Sequence, residues 1–402
     1  MSAHATRVAM HSAHEAVVIG AGPAGLAVAY ELRRAGVDPV IFERGAAVGG
    51  SWRGRHEDLR LNTIRWLSGL PGLPIPRRYG RWLGRDEYVV YLETYARSKA
   101  FPIEYGVDVR CIDRLGAAWQ IETSGGRRHA SHVVVATGPD LVSWIPAWPG
   151  MAEFRRELRH VATARRPRDF ANRKVLVAGG GNSGVEWSEH LVRCGARSVW
   201  LSIRRPPNLL PREVAGFPLH PLAVALRGLP MWLRDVNARL LRRFLLGDLS
   251  SYGLPQPRLG PYRTLAETGV TVAIDTGFSS FVRNGLVEVV AEIDRFTADE
   301  VILADGVRLR PDAVLVATGY RSGLEPLVGH LGVLRADGRP RVAADDVSSQ
   351  PGLWFIGYTP AIEGTLRLHG IQARRIAKAI RRERPRNRAG LPGTGPVPLA
   401  QP

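Results

Sequence analysis

The sequence predicts an α/β protein built from two doubly wound parallel-sheet units, the second inserted into the first. Three observations lead there. A strand, a glycine-rich turn, a helix and a second strand follow in register from Ala16 to Phe42. The same order recurs from Lys174 to Ile203. Two apolar strands, Val133–Gly138 and Val314–Gly319, both end in Ala-Thr-Gly and bracket the second copy.

Ala16-Val17-Val18-Ile19 is a short unbroken apolar run, the pattern of a parallel strand buried on both faces. The helix that follows runs from about Pro23 to Ala35 and stops at Gly36, where glycine suits the helix end. Val40-Ile41-Phe42 returns as the next strand, closing a βαβ unit within about 30 residues. Downstream, Lys174–Ala178 is the strand, the helix reaches about Cys194 before Gly195, and Ser198–Ile203 is the return. The simplest topology has the chain leaving the first unit after Gly138 and coming back near Gly319. As domain bounds we expect residues 15–165 and 306–381 for the first and 166–305 for the second, with a helical insertion at about 208–262. Within it, Met231–Leu246 can form an amphipathic helix with Arg234, Arg242 and Arg243 among its polar positions. That helix suits either packing with a solvated arginine face or lying on a membrane surface. Residues 1–14 read as a disordered extension, and the Arg-, Pro- and Gly-rich 382–402 as a disordered tail.

Composition limits the function classes. The 402 residues suffice for two cores, and 45% hydrophobic with 23% charged residues is ordinary for a globular chain. The net charge of +18 is large, yet all basic residues but Lys99, Lys174 and Lys378 are arginine and they are scattered. With no basic motif interleaved with aromatics, nucleic acid is not the expected partner; phosphorylated cofactors or acidic substrates suit the charge better. Cys111 and Cys194 form no C-x-x-C pair and no disulfide framework, which points to a reducing compartment and away from dithiol chemistry. No apolar run resembles a signal peptide or a membrane span, so a cytoplasmic protein is expected. No metal cluster stands out, and oligomeric state is open between monomer and homodimer.

The turns carry the chemistry. In Gly20-Ala21-Gly22-Pro23-Ala24-Gly25, the first glycine permits the turn and the second admits a pyrophosphate to the helix N-terminus. The third allows close helix–strand packing. Glu43, at the end of the second strand, can accept hydrogen bonds from ribose hydroxyls. Gly179-Gly180-Gly181-Asn182-Ser183-Gly184 has the same spacing. The position matching Glu43 is Ser202, and Arg204 and Arg205 follow, so the 2′-phosphate of NADPH is attracted where an acid would repel it. Gly49-Gly50-Ser51-Trp52 would let the chain pass close to a flat ring. Trp52 suits either the wall of that ring or the core. Asn62 and His160 read locally as a turn residue and a structural histidine.

Taken together these residues resemble the flavin-containing monooxygenases, among them the plant YUCCA-like enzymes and their bacterial relatives. The resemblance runs from Glu15 to Arg381. It rests on both turns, Gly49–Trp52, both Ala-Thr-Gly strands, Leu210-Pro211-Arg212-Glu213, Leu246-Gly247-Asp248, Tyr252-Gly253-Leu254, Gly260-Pro261 and Ala317–Ser322. It implies FAD in the first unit and NADPH in the second, with a C4a-(hydro)peroxyflavin passing oxygen from O₂ to a small organic substrate. The reaction would be N- or S-oxygenation or decarboxylation of a 2-oxo acid. It places FAD on Gly20, Gly22, Pro23, Ala24, Gly25, Glu43, Arg44, Gly50, Ser51, Trp52, Asn62, Thr63, Val109, Ala136, Thr137, Gly138, Gly357 and Gln372. It places NADPH on Gly179, Gly181, Asn182, Ser183, Gly184, Arg204, Arg205, Ala317, Thr318 and Gly319. Asn62 takes the position of the family's catalytic asparagine. The family signature F-x-G-x-x-x-H-S/T-x-x-Y is kept at Phe154 and His160 but altered at Arg156, Val161 and Ala164. The Baeyer–Villiger version, ending in Trp, fails at Ala164 too. Oxidase or flavin-reductase activity without oxygenation, or a Baeyer–Villiger-type monooxygenase, are the alternative readings, with a non-catalytic flavoprotein behind them.

Overall fold

The computed structural model describes residues 14–342 and 350–387. The first sheet holds β1 (His14–Ile19), β2 (Pro39–Glu43), β3 (Ile103–Tyr105), β4 (Val109–Leu115), β5 (Ala118–Thr123) and β6 (Gly126–Val135), in the order β3-β2-β1-β6-β5-β4. The β1, β2, β3 and β6 pairs are parallel, while β4, β5 and β6 form an antiparallel meander. The chain then builds a second sheet from β7 (Glu157–His160), β8 (Lys174–Ala178), β9 (Ser198–Ser202), β10 (Glu288–Val290) and β11 (Ala313–Val316). Its order is β10-β9-β8-β11-β7, parallel throughout. Finally β12 (Leu353–Phe355) re-enters the first sheet beside β6, taking over where β5 leaves it after Ala130.

The insertion is thus real, but its limits differ from expectation. Residues 157–160 and 313–316, inside the bounds expected for the first domain, are β7 and β11 of the second sheet, in line with an exit after Gly138 and a return near Gly319. For β11 the reason is local, since each Ala-Thr-Gly strand packs against its own glycine turn; β7 joins the sheet by pairing with β11. Ala136 N–H donates to the Ile19 carbonyl at 2.9 Å, and Ala317 N–H to the Ala178 carbonyl at 2.7 Å.

Alternation along each strand explains why the first sheet is covered on both faces. Ala16, Val18, Ile41 and Val134 face one core, shared with α1 (Pro23–Arg34), α3 (Arg85–Lys99) and the long α10 (Thr365–Asn387). α2 (Gly50–Arg53) is a single turn between them. Val17, Ile19, Phe42, Val133 and Val135 face a second core with Trp119 of the meander. Helix α10 continues to Asn387, past the point where a disordered tail was expected; residues 1–13 and 388–402 of the two terminal expectations lie outside the described residues.

The second sheet carries α4 (Asn182–Arg193), and the insertion carries α5 (His220–Ala225), α6 (Met231–Leu246) and α7 (Pro261–Thr268), followed by α8 (Phe278–Arg283) and, after β11, α9 (Glu325–Val328). Helix α6 forms as expected but is turned about its axis. Its buried positions include Asp235 and Arg242, whereas Trp232, Val236, Leu240 and Phe244, spaced at i, i+4, are exposed, Phe244 at 88%. Asp235 accepts from the Tyr262 and Arg263 N–H groups at 2.7 and 3.2 Å and so caps α7. Arg234 pairs with Glu363 at 3.0 Å and lies over the Tyr262 ring. Helical periodicity reports that two faces differ, not which one meets the protein, and here polar capping decides.

Candidate active site

Both glycine turns are built alike. Gly20 has φ +104° and Gly179 φ +122°, a region open to glycine. A Cβ there would lie 2.8 Å from the Ala136 carbonyl oxygen and 2.5 Å from that of Ala317, respectively. A Cβ at Gly25 or Gly184 would run into the carbonyl oxygen of Gly20 or Gly179. At Gly22 and Gly181, by contrast, a Cβ would meet nothing within 4 Å. These two N-cap glycines border open space, and the first turns of α1 and α4 carry no acidic residue and no side-chain cap. Their N–H groups remain available to an anion, which is the fit a pyrophosphate requires.

Glu43 ends β2 at the mouth of the first turn. Its carboxylate accepts from the Ala21 N–H at 2.7 Å and the Gly45 N–H at 2.8 Å. A carboxylate has about four lone-pair sites, so acceptor capacity is left for a ribose. Arg44 is exposed. Val107 N–H donates to the Glu43 carbonyl at 3.0 Å, which brings the approach to Val109 alongside. On the other flank, Gly49 N–H donates to the Ala21 carbonyl at 3.0 Å. Gly50 and Ser51 are exposed there, and the Trp52 ring packs edge-on against Tyr88 at 4.6 Å, one side on the core.

The segment after β12 folds back over this turn. Gly357 lies against Ala24 and His369. Gln372 of α10, buried, accepts from the Gly357 N–H and donates to Thr359 Oγ1, both at 3.2 Å. Pro23, the residue before Ala24, opens α1. Thr137, between Ala136 and Gly138, shares a 2.7 Å hydrogen bond with the Tyr358 hydroxyl, whose pKa burial pushes well up. Asn62 and Thr63 are half-buried, Thr63 bonded to Ser68 at 2.7 Å.

His220, which the sequence did not single out, ties this region together. It accepts from the Ile64 N–H at Nδ1 (3.1 Å) and therefore donates from Nε2 to the Glu363 carbonyl (2.8 Å). Burial lowers its pKa, in keeping with that neutral form. Gly364 lies against both His220 and Thr63. Beyond this wall a cavity of about 290 Å³ opens between α6, α7 and residues 359–368. Met231, Tyr262 and Leu368 give it apolar surface; Arg227, Arg234 and Arg367 give it positive charge.

In the second unit, Asn182 accepts from the Ile274 N–H at 3.0 Å, Ser202 is buried and bonded to the Ala291 carbonyl at 2.8 Å, and Arg204 and Arg205 are exposed just beyond β9. Ser183 lies beside Gly184 in the first turn of α4. Thr318 donates to the Trp144 carbonyl at 2.5 Å. His160, buried, accepts from the Ala162 N–H and donates to the Gly319 carbonyl, both at 3.1 Å, so its task is to fix the end of the second Ala-Thr-Gly strand. The altered signature is structural here. Val161 and Ala164 are buried in the core that holds Phe170 and Trp187, and Arg156 pairs with Asp299 at 3.3 Å.

Residues 17–209 match the pyridine nucleotide-disulphide oxidoreductase family. The chain is 33% identical over 351 residues to indole-3-pyruvate monooxygenase YUCCA1 of Oryza sativa subsp. japonica, covering 86% of each. It is 32% identical over 353 residues to the probable indole-3-pyruvate monooxygenase YUCCA9 of Arabidopsis thaliana, covering 85% of this chain and 84% of the relative. Its fold resembles a flavin-containing monooxygenase from Stenotrophomonas maltophilia, with a TM-score of 0.71 at 24% identity over 92% of this chain and 98% of that one. It also resembles an oxidized steroid monooxygenase bound to NADP, with a TM-score of 0.71 at 20% identity over 94% and 86%. The chain belongs to the flavin-containing monooxygenase family that includes the YUCCA enzymes, and it is an NADPH- and FAD-dependent oxidoreductase.

Proposed function

We propose that this monooxygenase acts on a small aromatic 2-oxo acid, converting it with O₂, NADPH and a proton to the shortened carboxylic acid, CO₂, water and NADP⁺. The observation that carries the reading is the cavity of about 290 Å³, which sets arginines beside apolar and aromatic walls and shares the His220–Glu363 wall with the Asn62 segment. Arg367 and Arg227 hold the substrate carboxylate, and Tyr262, Met231 and Leu368 enclose its ring. Arg234 is already committed to Glu363 and Tyr262 and shapes the wall. The indole-3-pyruvate activity named for the relatives points to the same substrate class.

FAD, when bound, supplies the reduced ring that activates oxygen. The protein supplies position and exclusion of water. The free N–H groups at Gly22 and Gly181 take the two pyrophosphates, Glu43 takes the adenosine ribose of FAD, and Arg204 with Arg205 takes the 2′-phosphate of NADPH. Gln372 and Tyr358 hold residues 357–359 over the first turn. The Asn62 amide would be the donor offered to the reacting oxygen.

The test couples three readings on FAD-loaded enzyme: NADPH consumed, hydrogen peroxide released and product mass, across aromatic 2-oxo acids, amines and thioethers. A shortened acid formed in step with NADPH supports the proposal. NADPH oxidation that returns only peroxide with every substrate would establish the oxidase reading instead. Arg367→Ala is expected to raise KM for the 2-oxo acid about tenfold or more, the scale of one lost charge-assisted contact.

A second reading concerns the face of α6. Its exposed Trp232, Val236, Leu240 and Phe244, flanked by the exposed Arg239 and Arg243, suit an anionic membrane surface. No helix among the described residues is long and apolar enough to cross a membrane.

A further inference from the structure

His56, Glu186 and His190 meet at the seam between the two units. Glu186 and His190 stand one turn apart on α4, so their side chains share a face. His56 follows α2 in a loop whose backbone is held on both sides. The Arg55 carbonyl accepts from Arg85 Nη1 at 2.7 Å, and Glu57 N–H donates to the Arg165 carbonyl at 2.9 Å. His56 is only 5% exposed, yet neither of its ring nitrogens has a hydrogen-bond partner. Its nearest polar partner is the Glu186 carboxylate, at ion-pair rather than hydrogen-bond distance, and a buried ring without a hydrogen bond calls for an explanation.

The geometry around it offers one. Glu186 Oε1 lies 3.6 Å from His56 Nε2 and 3.9 Å from His190 Nε2. One ligand atom from each of the three residues falls within 4.8 Å of the others. These separations are long for hydrogen bonds. The two distances to Glu186 are near the ~3.4 Å between ligand atoms of a tetrahedral ion whose bonds are about 2.1 Å. Glu186 and His190 are 20% exposed, which leaves an entry path from the α4 side.

We propose that His56, Glu186 and His190 bind a transition-metal ion of the zinc class and clamp α4 of the second unit to the α2 loop of the first. Two imidazole nitrogens and one carboxylate oxygen form a borderline donor set that suits Zn²⁺ rather than Ca²⁺ or Mg²⁺. The clamp joins elements that carry the two nucleotide turns. Helix α4 starts at Gly181, and the chain entering α2 is bonded to the first turn through Gly49 and Ala21. The ion therefore fixes one cofactor turn relative to the other. A second trio, Cys111, Asp113 and His330, also converges, but it lies nearer the surface and is already hydrogen-bonded at 3.4 and 2.8 Å. It leaves no orphan to satisfy.

The test uses the FAD-loaded full chain, stripped with a chelator and titrated with Zn²⁺ and separately with Co²⁺. Wild type is expected to take one ion at this site, to gain in Tm with Zn²⁺, and to show the intense visible bands of tetrahedral Co²⁺. Glu186→Gln and His190→Ala should bind Zn²⁺ about tenfold or more weakly and lose the Tm gain. His4 and His11 near the start of the chain can also capture metal, so the readout is the difference between wild type and variant. His330→Ala, the control for the second trio, should keep the ion. Zn²⁺ binding no greater in wild type than in the two seam variants overturns the proposal. If either variant fails to fold, the wild-type Co²⁺ spectrum decides, and absence of tetrahedral bands overturns it.

Discussion

Asn62 shows how little a residue's neighbours in sequence disclose about its use. By local pattern it is a turn residue; its neighbour Thr63 lies against Gly364, in the segment that His220 ties to Ile64. If its amide serves the reacting oxygen, Asn62→Ala should raise peroxide released per NADPH roughly tenfold, the scale of a lost oriented donor, while flavin reduction by NADPH stays within about twofold. Stopped-flow reduction and a peroxide assay separate the two, and unchanged coupling would remove Asn62 from the machinery. Arg204 stands free beyond β9, where Ser202 has already given its hydroxyl to Ala291. Arg204→Ala should therefore cost about 2 kcal/mol in NADPH binding, roughly thirtyfold in KM, with NADH little affected. Equal losses for both nucleotides would show that the arginine does not read the 2′-phosphate.

The strand–turn–helix unit is the element that sequence reads best, because its demands are confined to one short stretch. Gly25 and Gly184 each abut the carbonyl of the first glycine of their own turn, five residues back. Adding one methyl should open that turn only. Gly184→Ala is expected to weaken NADPH about tenfold or more while FAD stays bound, and Gly25→Ala to give protein with reduced flavin content, since each backbone clash costs on the order of 1–3 kcal/mol. Flavin absorbance and NADPH KM measured on both variants check the pairing of turn with cofactor. Helix α6 is the opposite case. Its amphipathic pattern was legible, but its orientation was not, because Asp235 caps α7 and Arg234 reaches Glu363 from far along the chain. The double variant Trp232→Ser/Phe244→Ser should bind anionic vesicles about tenfold or more weakly than wild type, given the apolar area removed. Equal partition of both proteins in vesicle sedimentation would leave that face without a membrane role.

For the molecule as a whole, buried histidines set the response to acid. His369 of α10 lies beneath Gly357, and burial lowers its pKa from 6.5 to about 4. The neutral ring is favoured in the fold, so its contribution is fully present above pH 6.5 and is lost as pH falls from there through about 4. A shift of that size corresponds to about 3 kcal/mol. His369→Leu should lose less stability than wild type between pH 7 and pH 4, as read by chemical denaturation; an identical loss would place the acid sensitivity elsewhere. The same scale governs the two-unit architecture. Repetition in sequence established that there are two nucleotide units and that one interrupts the other. It could not set the exact domain limits, because β11 follows the turn it packs against and β7 follows β11.

Sequence by itself determined the two glycine turns, the acid and the arginines at their strand ends, and the Ala-Thr-Gly strands, since backbone conformation and cofactor charge fix those residue types within a few tens of positions. The cavity, the His220 bridge, the true face of α6 and the buried His56 beside Glu186 and His190 were decided only by tertiary structure. Each depends on side chains from distant segments sharing a low-dielectric, close-packed space. There, hydrogen-bond satisfaction and burial, rather than local propensity, determine which groups meet.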